Sequence, residues 1–201
     1  MNNLLVLYPS EFKAYSKLER KLTKITSRMS NFQLLTLNDF NGFVKRFSEE
    51  NDIAQSVIEG YNWESYNLTH AVVFDDGEEF PNEVKLLKSK NIPLREIRID
   101  ITRVVNIKTD KEFNGQVDTP NYSYIGRGSY WGNPYSMHEE NHSREEVIRK
   151  FKYDFDFEKF PNKDKKEVFK LVGKRLGCFC KPEACHGDVL ADYLNSWDDG
   201  K

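Results

Sequence analysis

The sequence predicts two joined α/β modules, a parallel-sheet module over residues 1–102 and a smaller one over 103–201. Three features carry that expectation: short apolar runs alternating with helical periodicity through the first hundred residues, a polar turn-rich stretch from Lys108 to Asn121, and aromatic, glycine-rich sequence beyond it. A chain of 201 residues can bury one large core or two small ones, and the change of pattern near residue 100 favours two.

Leu4 to Tyr8 is a continuous apolar run and predicts a buried strand, turned by Pro9-Ser10. Leu18, Leu22, Ile25 and Met29 then recur at helical spacing, with Glu19, Arg20, Lys21 and Lys24 on the other face. Phe32 to Leu37 predicts the second strand. A second helix is expected from about Asp39 through Phe43, Val44 and Phe47, and a third around Ile53 to Tyr61. Thr69 to Phe74 predicts a buried strand with Asp75-Asp76-Gly77 as its turn. Phe80 to Ser89 follows as a helix with Pro81 tolerated near its start, closed by Lys90 to Pro93, and Leu94 to Ile101 supplies another strand. Strand, helix and strand in that order imply a right-handed crossover and a parallel sheet.

The second module opens with a predicted strand, Arg103 to Ile107, and turn signals at Asn114-Gly115 and Thr119-Pro120-Asn121. Ser143-Arg144-Glu145-Glu146 is a capping box, which fixes the start of a helix carrying Val147, Ile148 and Phe151. Asp154 to Lys165 shows no firm period and is expected as a loop before a helix from Lys166 to Val172. A short strand, Arg175 to Cys180, then leads to a last helix from about Gly187 to Trp197.

Composition narrows the function classes. Thirty-two acidic against thirty basic side chains leave a formal net charge of −2, so no global field favours nucleic acid or an anionic membrane, although local basic patches are allowed. No stretch is long enough to span a bilayer, and the N-terminus lacks a basic leader and a small-residue cleavage site. A cytoplasmic protein is expected, and there three cysteines are better suited to thiol or metal chemistry than to a disulfide framework.

Residues 4–100 resemble a divergent member of the SLOG superfamily, the Rossmann-like group that contains the DNA-processing protein A and the LOG phosphoribohydrolases. The match rests on Leu5-Val6-Leu7-Tyr8-Pro9-Ser10 and on His70 to Gly77 leading to Lys90-Asn91-Ile92-Pro93-Leu94. The resemblance implies a nucleotide-derived ligand at the carboxyl ends of the strands, with Ser10, Lys13, Tyr15 and Asp75 to Glu79 as rim positions. The glycine-rich phosphate loop of the catalytic relatives has no counterpart: Asn38-Asp39-Phe40-Asn41-Gly42 offers one glycine, and Asp39, Asp75, Asp76, Glu78 and Glu79 repel an anion. A sheet that only scaffolds the second module is the alternative for this half.

Residues 103–196 resemble a family of domains of unknown function found in bacteria and phages, marked here by Tyr124-Ile125-Gly126-Arg127-Gly128, Trp131-Gly132-Asn133-Pro134-Tyr135, Gly177-Cys178-Phe179-Cys180 and Cys185-His186-Gly187-Asp188-Val189-Leu190. That resemblance brings no activity with it, so the residues carry the argument. All three cysteines fall within eight residues, beside a histidine and an aspartate. Cys178 and Cys180 share one face of a strand, and Cys185 and His186 stand at the N-terminus of the last helix, whose positive end lowers a thiol pKa and favours an anion.

Three readings compete. In the first, a nucleotide-like ligand is held by Arg127 between Gly126 and Gly128, with Tyr130 or Trp131 stacking a base, Asn133 reading a polar edge, and Cys180, His186, Gly187 and Asp188 adding contacts. In the second, Cys178, Cys180, Cys185 and His186 bind zinc; all four lie within nine residues, which makes tetrahedral closure difficult, so no metal or cofactor is assigned. In the third, Cys185 is a nucleophile, or His186 and Asp188 form an acid–base dyad. Against all three, Cys178 and Cys180 read as small buried strand residues. His138 and His142 are expected to be solvated, His70 to make a structural hydrogen bond, and Phe151, Phe155, Phe157 and Phe160 to pack.

The leading expectation is a protein that binds a nucleotide or nucleotide-derived small molecule, for sensing or sequestration of a phage or bacterial immune signal. The alternatives are an enzyme acting at a nucleotide glycosidic or phosphoester bond through His186, Asp188 and Cys185, and an inhibitor that binds a host enzyme. The expected partner is therefore a nucleotide-derived small molecule, with no membrane, no strong nucleic-acid signal, and a homo-oligomer left open.

Overall fold

Leu4, Leu5, Val6 and Leu7 are all buried, because the strand they form, β1 (Asn2–Leu7), is the middle of a five-stranded parallel sheet and is covered on both faces. Residues 1–58, 66–113, 115, 117–137 and 142–200 are described by a computed structural model of the chain. Two units are present, Met1–Asp100 with Ser196–Lys201, and Ile101–Asn195.

In the first unit, β2 (Phe32–Thr36), β3 (Gln55–Val57), β4 (His70–Asp75) and β5 (Leu94–Arg98) join β1 in the order β3-β2-β1-β4-β5. Leu5 lies in register with Leu35 on one side and Ala71 on the other. Three helices connect the strands: α1 (Tyr15–Thr26), α2 (Phe43–Glu50) and α3 (Pro81–Ser89). Helix α1 turns Leu18 and Leu22 inward, while Lys17, Lys21, Lys24 and Arg28 recur at helical spacing and line a groove together with β5. Pro81 occupies the first turn of α3, where its missing N–H costs no helical bond.

The α/β fold with a parallel sheet agrees with the sequence expectation, and within the first unit one element does not. The helix expected around Ile53 to Tyr61 is, over its described part, the edge strand β3; residues 59–65 lie outside the described residues. Ser56 and Val57 are exposed, so no apolar alternation marks this strand, and its pairing with Leu34 to Thr36 sets it instead.

Chain order reverses between β1 and β4, the point at which open α/β sheets form a ligand crevice beyond the carboxyl ends of their strands. Aromatic side chains pack together beside these strand ends. Phe12, 3% exposed, stacks on Phe74 at 5.5 Å and meets the rings of Tyr8 and Phe43, each at 6.4 Å. The Tyr8 hydroxyl donates to Asp39 Oδ1 at 2.5 Å, and the same carboxylate accepts the N–H groups of Val44 and Lys45 at the start of α2. Of the expected rim residues, Tyr15 is buried, donates to Glu50 and carries the Arg46 guanidinium 3.8 Å above its ring. Asp75 and Asp76 accept the N–H groups of Glu79 and Glu78. His70 meets the Thr69 hydroxyl at 3.0 Å.

The second unit holds a smaller sheet, also parallel, with β6 (Arg103–Asn106), β8 (Arg175–Cys178) and β7 (Tyr122–Tyr124) in that order. Helix α4 (Arg144–Asp156) begins with the expected capping box, formed reciprocally by Ser143 and Glu146. It runs into the stretch expected as a loop, because Phe151 and Phe155 stay on its inward face. Residues Lys165–Leu171 form a 3-10 helix, and α5 (His186–Ser196) closes the unit. Ile125, Trp131, Phe151, Phe155, Phe160, Leu176, Leu190 and both Cys178 and Cys185 belong to one buried cluster. Phe157, expected to pack inward, is 62% exposed and rests on Tyr153. His142 lies near Lys150 and Glu146, and His138 and Asn114 fall outside the described residues. No helix among the described residues is long and apolar enough to cross a membrane.

Candidate functional site

Because all three strands of the second unit run in one direction, the segments that follow them emerge at one edge of the sheet. Gly126-Arg127-Gly128 follows β7 and Phe179-Cys180 follows β8, and the first turn of α5 lies against the same segments through His186. The carboxyl edge of a parallel sheet is where such folds place ligands.

Two cavities share Arg127. One of about 480 Å³ is lined by Asp118, Tyr124, Arg127, Gly128, Ser129 and Tyr130 among others. The other, about 170 Å³, brings Arg127 together with Asn133, Arg144, Cys180, Cys185 and His186. Gly128 takes φ +88°, a conformation that other residues adopt at a cost. A Cβ on Gly126 would fall 2.2 Å from the Tyr124 hydroxyl, so the loop sits tightly on the strand it leaves. The Ser129 hydroxyl is buried beside the larger cavity without a hydrogen-bond partner among the described residues.

The aromatic pair divides. Tyr130 is 47% exposed, with its hydroxyl accepting the Asp164 N–H at 2.7 Å and its ring edge-to-face with Trp131 at 5.2 Å, and it lines the larger cavity. Trp131 is 5% exposed and packs edge-on to Phe155 as part of the core, and it also lines the larger cavity. Asn133 donates to the Val147 carbonyl and accepts the Tyr135 N–H, which pins the loop to α4 and commits its amide within the protein.

His186 is buried against the Phe151 ring at 4.9 Å, and its Nε2 lies 2.9 Å from the Ile125 carbonyl. A carbonyl only accepts, so Nε2 carries the proton and Nδ1 keeps its lone pair. Burial holds the imidazole pKa below its ordinary value, partly offset by that carbonyl. Asp188 makes no hydrogen bond to His186 among the described residues; it accepts the Cys185 N–H at 2.8 Å and pairs with Lys181 at 2.7 Å. The structure therefore brings His186 and Asp188 to one helix turn without forming a dyad. Gly187 has no room for a side chain, since a Cβ there would meet Ile125 Cδ1 at 2.5 Å and Val104 Cγ2 at 3.1 Å.

The three cysteine sulfurs converge within 4.8 Å of one another, although Cys180 lies beyond the end of β8 and Cys185 is five residues further on. Cys178 and Cys180 Sγ stand 3.5 Å apart, and Cys185 Sγ stands 3.6 Å from His186 Nδ1 and accepts the Gly187 N–H at 3.4 Å. All three thiols are free. Bonds from the Cys178 and Cys185 thiols, and then the Arg144 guanidinium, hold Cys180 far below the ordinary thiol range, whereas its neighbours and burial push Cys185 far above it.

Sequence reasoning did not single out Arg144, Asn106 or Tyr135. Arg144 donates to the Ala184 carbonyl at 3.2 Å and lines the smaller cavity. Its signal was a cation in the first turn of a helix, where the dipole disfavours one. Asn106 donates to the Lys181 carbonyl and so holds the cysteine loop, and Tyr135, whose hydroxyl donates to Asp154, closes one wall.

A family model described as the minimal SLOG domain matches residues 1–105, and a model described as domain of unknown function DUF4326 matches residues 105–196. An Enterobacteria phage T4 protein, described as an uncharacterized 12.4 kDa protein in the nrdA-td intergenic region, is 39% identical over 97 residues, which cover 47% of this chain and 79% of the phage protein. No solved structure matches the chain. The two family matches agree with the resemblances that the sequence motifs carry.

Proposed function

We propose that this chain, which belongs to the minimal SLOG family, binds a nucleotide or nucleotide-derived small molecule in the cavity beside Arg127 and retains it intact, in sensing or sequestration of a phage or bacterial immune signal. The SLOG domain is a nucleotide-related fold, which supplies the ligand class. One observation carries the placement: the exposed residues Arg127 and Tyr130 line the same cavity of about 480 Å³, a volume within the range of small-molecule sites. Arg127 offers a planar fork for phosphate, and Tyr130 offers a face for a base. The aromatic packing of Phe12 on Phe74 at the strand ends of the first unit supports placing the ligand in the second.

Retention is favoured over turnover by the state of the acid–base groups. His186 donates its proton to a backbone carbonyl and is 6% exposed, while Asp188 is committed to a backbone N–H and to Lys181. Neither group is placed to exchange protons with a ligand. Incubation of the purified chain with a panel of nucleotides and cyclic dinucleotides, followed by mass spectrometry of the protein-bound and free fractions, tests this. The expected result is one compound enriched intact with the protein. Conversion of that compound to product would replace the binding reading with the enzymatic one, and no enrichment at all would leave the cavity without a ligand.

A specific observation favours a second reading. A groove of about 810 Å³ on the first unit is lined by Lys17, Lys21, Lys24 and Arg28 from the side of α1 and by Arg95 and Arg98 from β5, six cations against three carboxylates. One of those carboxylates, Asp199, pairs with Lys17 at 3.1 Å, so the groove already accepts an anion from the chain itself. A phosphate-bearing ligand fits this electrostatic setting too, without an aromatic face for the base.

A further inference from the structure

We propose that Cys178, Cys180, Cys185 and the Nδ1 atom of His186 form a tetrahedral zinc site that fastens the end of β8 to the start of α5. At a tetrahedral zinc, Zn–S bonds of about 2.3 Å and a Zn–N bond of about 2.1 Å set sulfur–sulfur separations near ~3.8 Å and sulfur–nitrogen separations near ~3.6 Å. The three sulfurs lie within 4.8 Å of one another, the Cys178–Cys180 pair at 3.5 Å, and the Cys185 sulfur lies 3.6 Å from His186 Nδ1. The objection from sequence, that four donors within nine residues close poorly, fails for a physical reason. Cys180 to Glu183 forms a turn, with the Glu183 N–H on the Cys180 carbonyl, and it carries Cys185 back to the strand it left.

The surroundings match what a metal site requires beyond its ligands. His186 presents a lone pair from Nδ1 because its other nitrogen donates to the Ile125 carbonyl, the arrangement by which ligating histidines are oriented. The Gly187 N–H points at the Cys185 sulfur, which delocalises thiolate charge. Three thiolates and one zinc carry a net charge of −1, and the Arg144 guanidinium stands next to Cys180 to balance it. Soft sulfur donors with one imidazole select zinc over magnesium or calcium.

Chain purified under reducing conditions without chelator is expected to contain about one equivalent of zinc, released when a mercurial caps the thiols. Cobalt exchanged into the wild-type chain should give the intense visible bands of a tetrahedral site and a thiolate-to-cobalt band in the near ultraviolet. Cys178→Ser, Cys180→Ser and Cys185→Ser should each lose the metal, and His186→Gln should shift the visible bands while keeping the thiolate band. Because the cobalt spectrum is read on the wild-type chain, a variant that fails to fold does not decide the matter. Wild-type chain that takes up no zinc or cobalt when loaded, or that gives the weak bands of an octahedral ion, overturns the site. The metal readout is independent of whether the Arg127 cavity takes a nucleotide, so the two proposals fail separately.

Discussion

Phe151→Ala is expected to destabilise the second unit by about 3–5 kcal/mol, the cost of emptying a fully buried aromatic site. The ring is 0% exposed, meets Phe155 and Phe160 at 6.5 and 5.1 Å, and lies edge-on to the His186 imidazole at 4.9 Å. Its loss therefore leaves a cavity directly behind the cysteine and histidine cluster. Beyond the stability change, His186 would be free to rotate about its bond to the Ile125 carbonyl, and the three thiols should react faster with a disulfide reagent. Because two units are present, unfolding is not expected to be a single two-state transition, and thiol reactivity against denaturant reports the second unit alone. A loss under about 1 kcal/mol with unchanged thiol reactivity would show that the ring does not support the cluster.

Phe74→Ala should cost the first unit a comparable amount, about 3–5 kcal/mol, because Phe74 is also 0% exposed and is the surface on which Phe12 stacks. The pair is suited to a double-mutant cycle with Phe12→Ala, in which the stacked rings should show a coupling of about 0.5–1.5 kcal/mol. Opening this crevice is expected to create no nucleotide site. Asp39, Asp75 and Asp76 remain at the carboxyl ends of the strands, and their charge opposes a phosphate there. Nucleotide binding gained by Phe12→Ala would show instead that the aromatic side chains alone close a working SLOG pocket.

Elements whose signal is local are legible in the sequence. The buried runs of β1 and β4, the proline at the start of α3 and the capping box of α4 each carry their physical cause within a few residues. Strand β3 is not legible, since its three residues owe their conformation to pairing with β2 and show no alternation of their own. The end of α4 is hidden for a related reason: Phe155 completes an inward face whose partners, Trp131 and Tyr193, are distant in sequence.

The site divides in the same way. Clustering of Cys178, Cys180, Cys185 and His186 in sequence points to the place, and the shared edge of a parallel sheet brings Arg127 to it. What each side chain does there depends on partners that the sequence does not reveal. Trp131 packs on Phe155 while lining the cavity beside Arg127, Asn133 binds the backbone of its own loop and of α4, and Asp188 accepts the Cys185 N–H and makes no hydrogen bond to His186 among the described residues. The turn from Cys180 to Glu183 is the local detail that changes the metal argument, because spacing alone counts residues without showing that the chain doubles back.

Placement of the ligand beside Arg127 is best decided by calorimetric affinity for the compound that the nucleotide panel returns, compared between wild type, Arg127→Gln and the double variant Lys21→Glu, Arg95→Glu. Loss of charge-assisted hydrogen bonds to the ligand should weaken Arg127→Gln by about 10–100-fold, while the groove variant stays within about twofold of wild type. Arg127 is exposed, so the substitution should leave the fold unchanged. Undiminished affinity in Arg127→Gln, with loss in the groove variant, would refute that placement and move the ligand to the first unit.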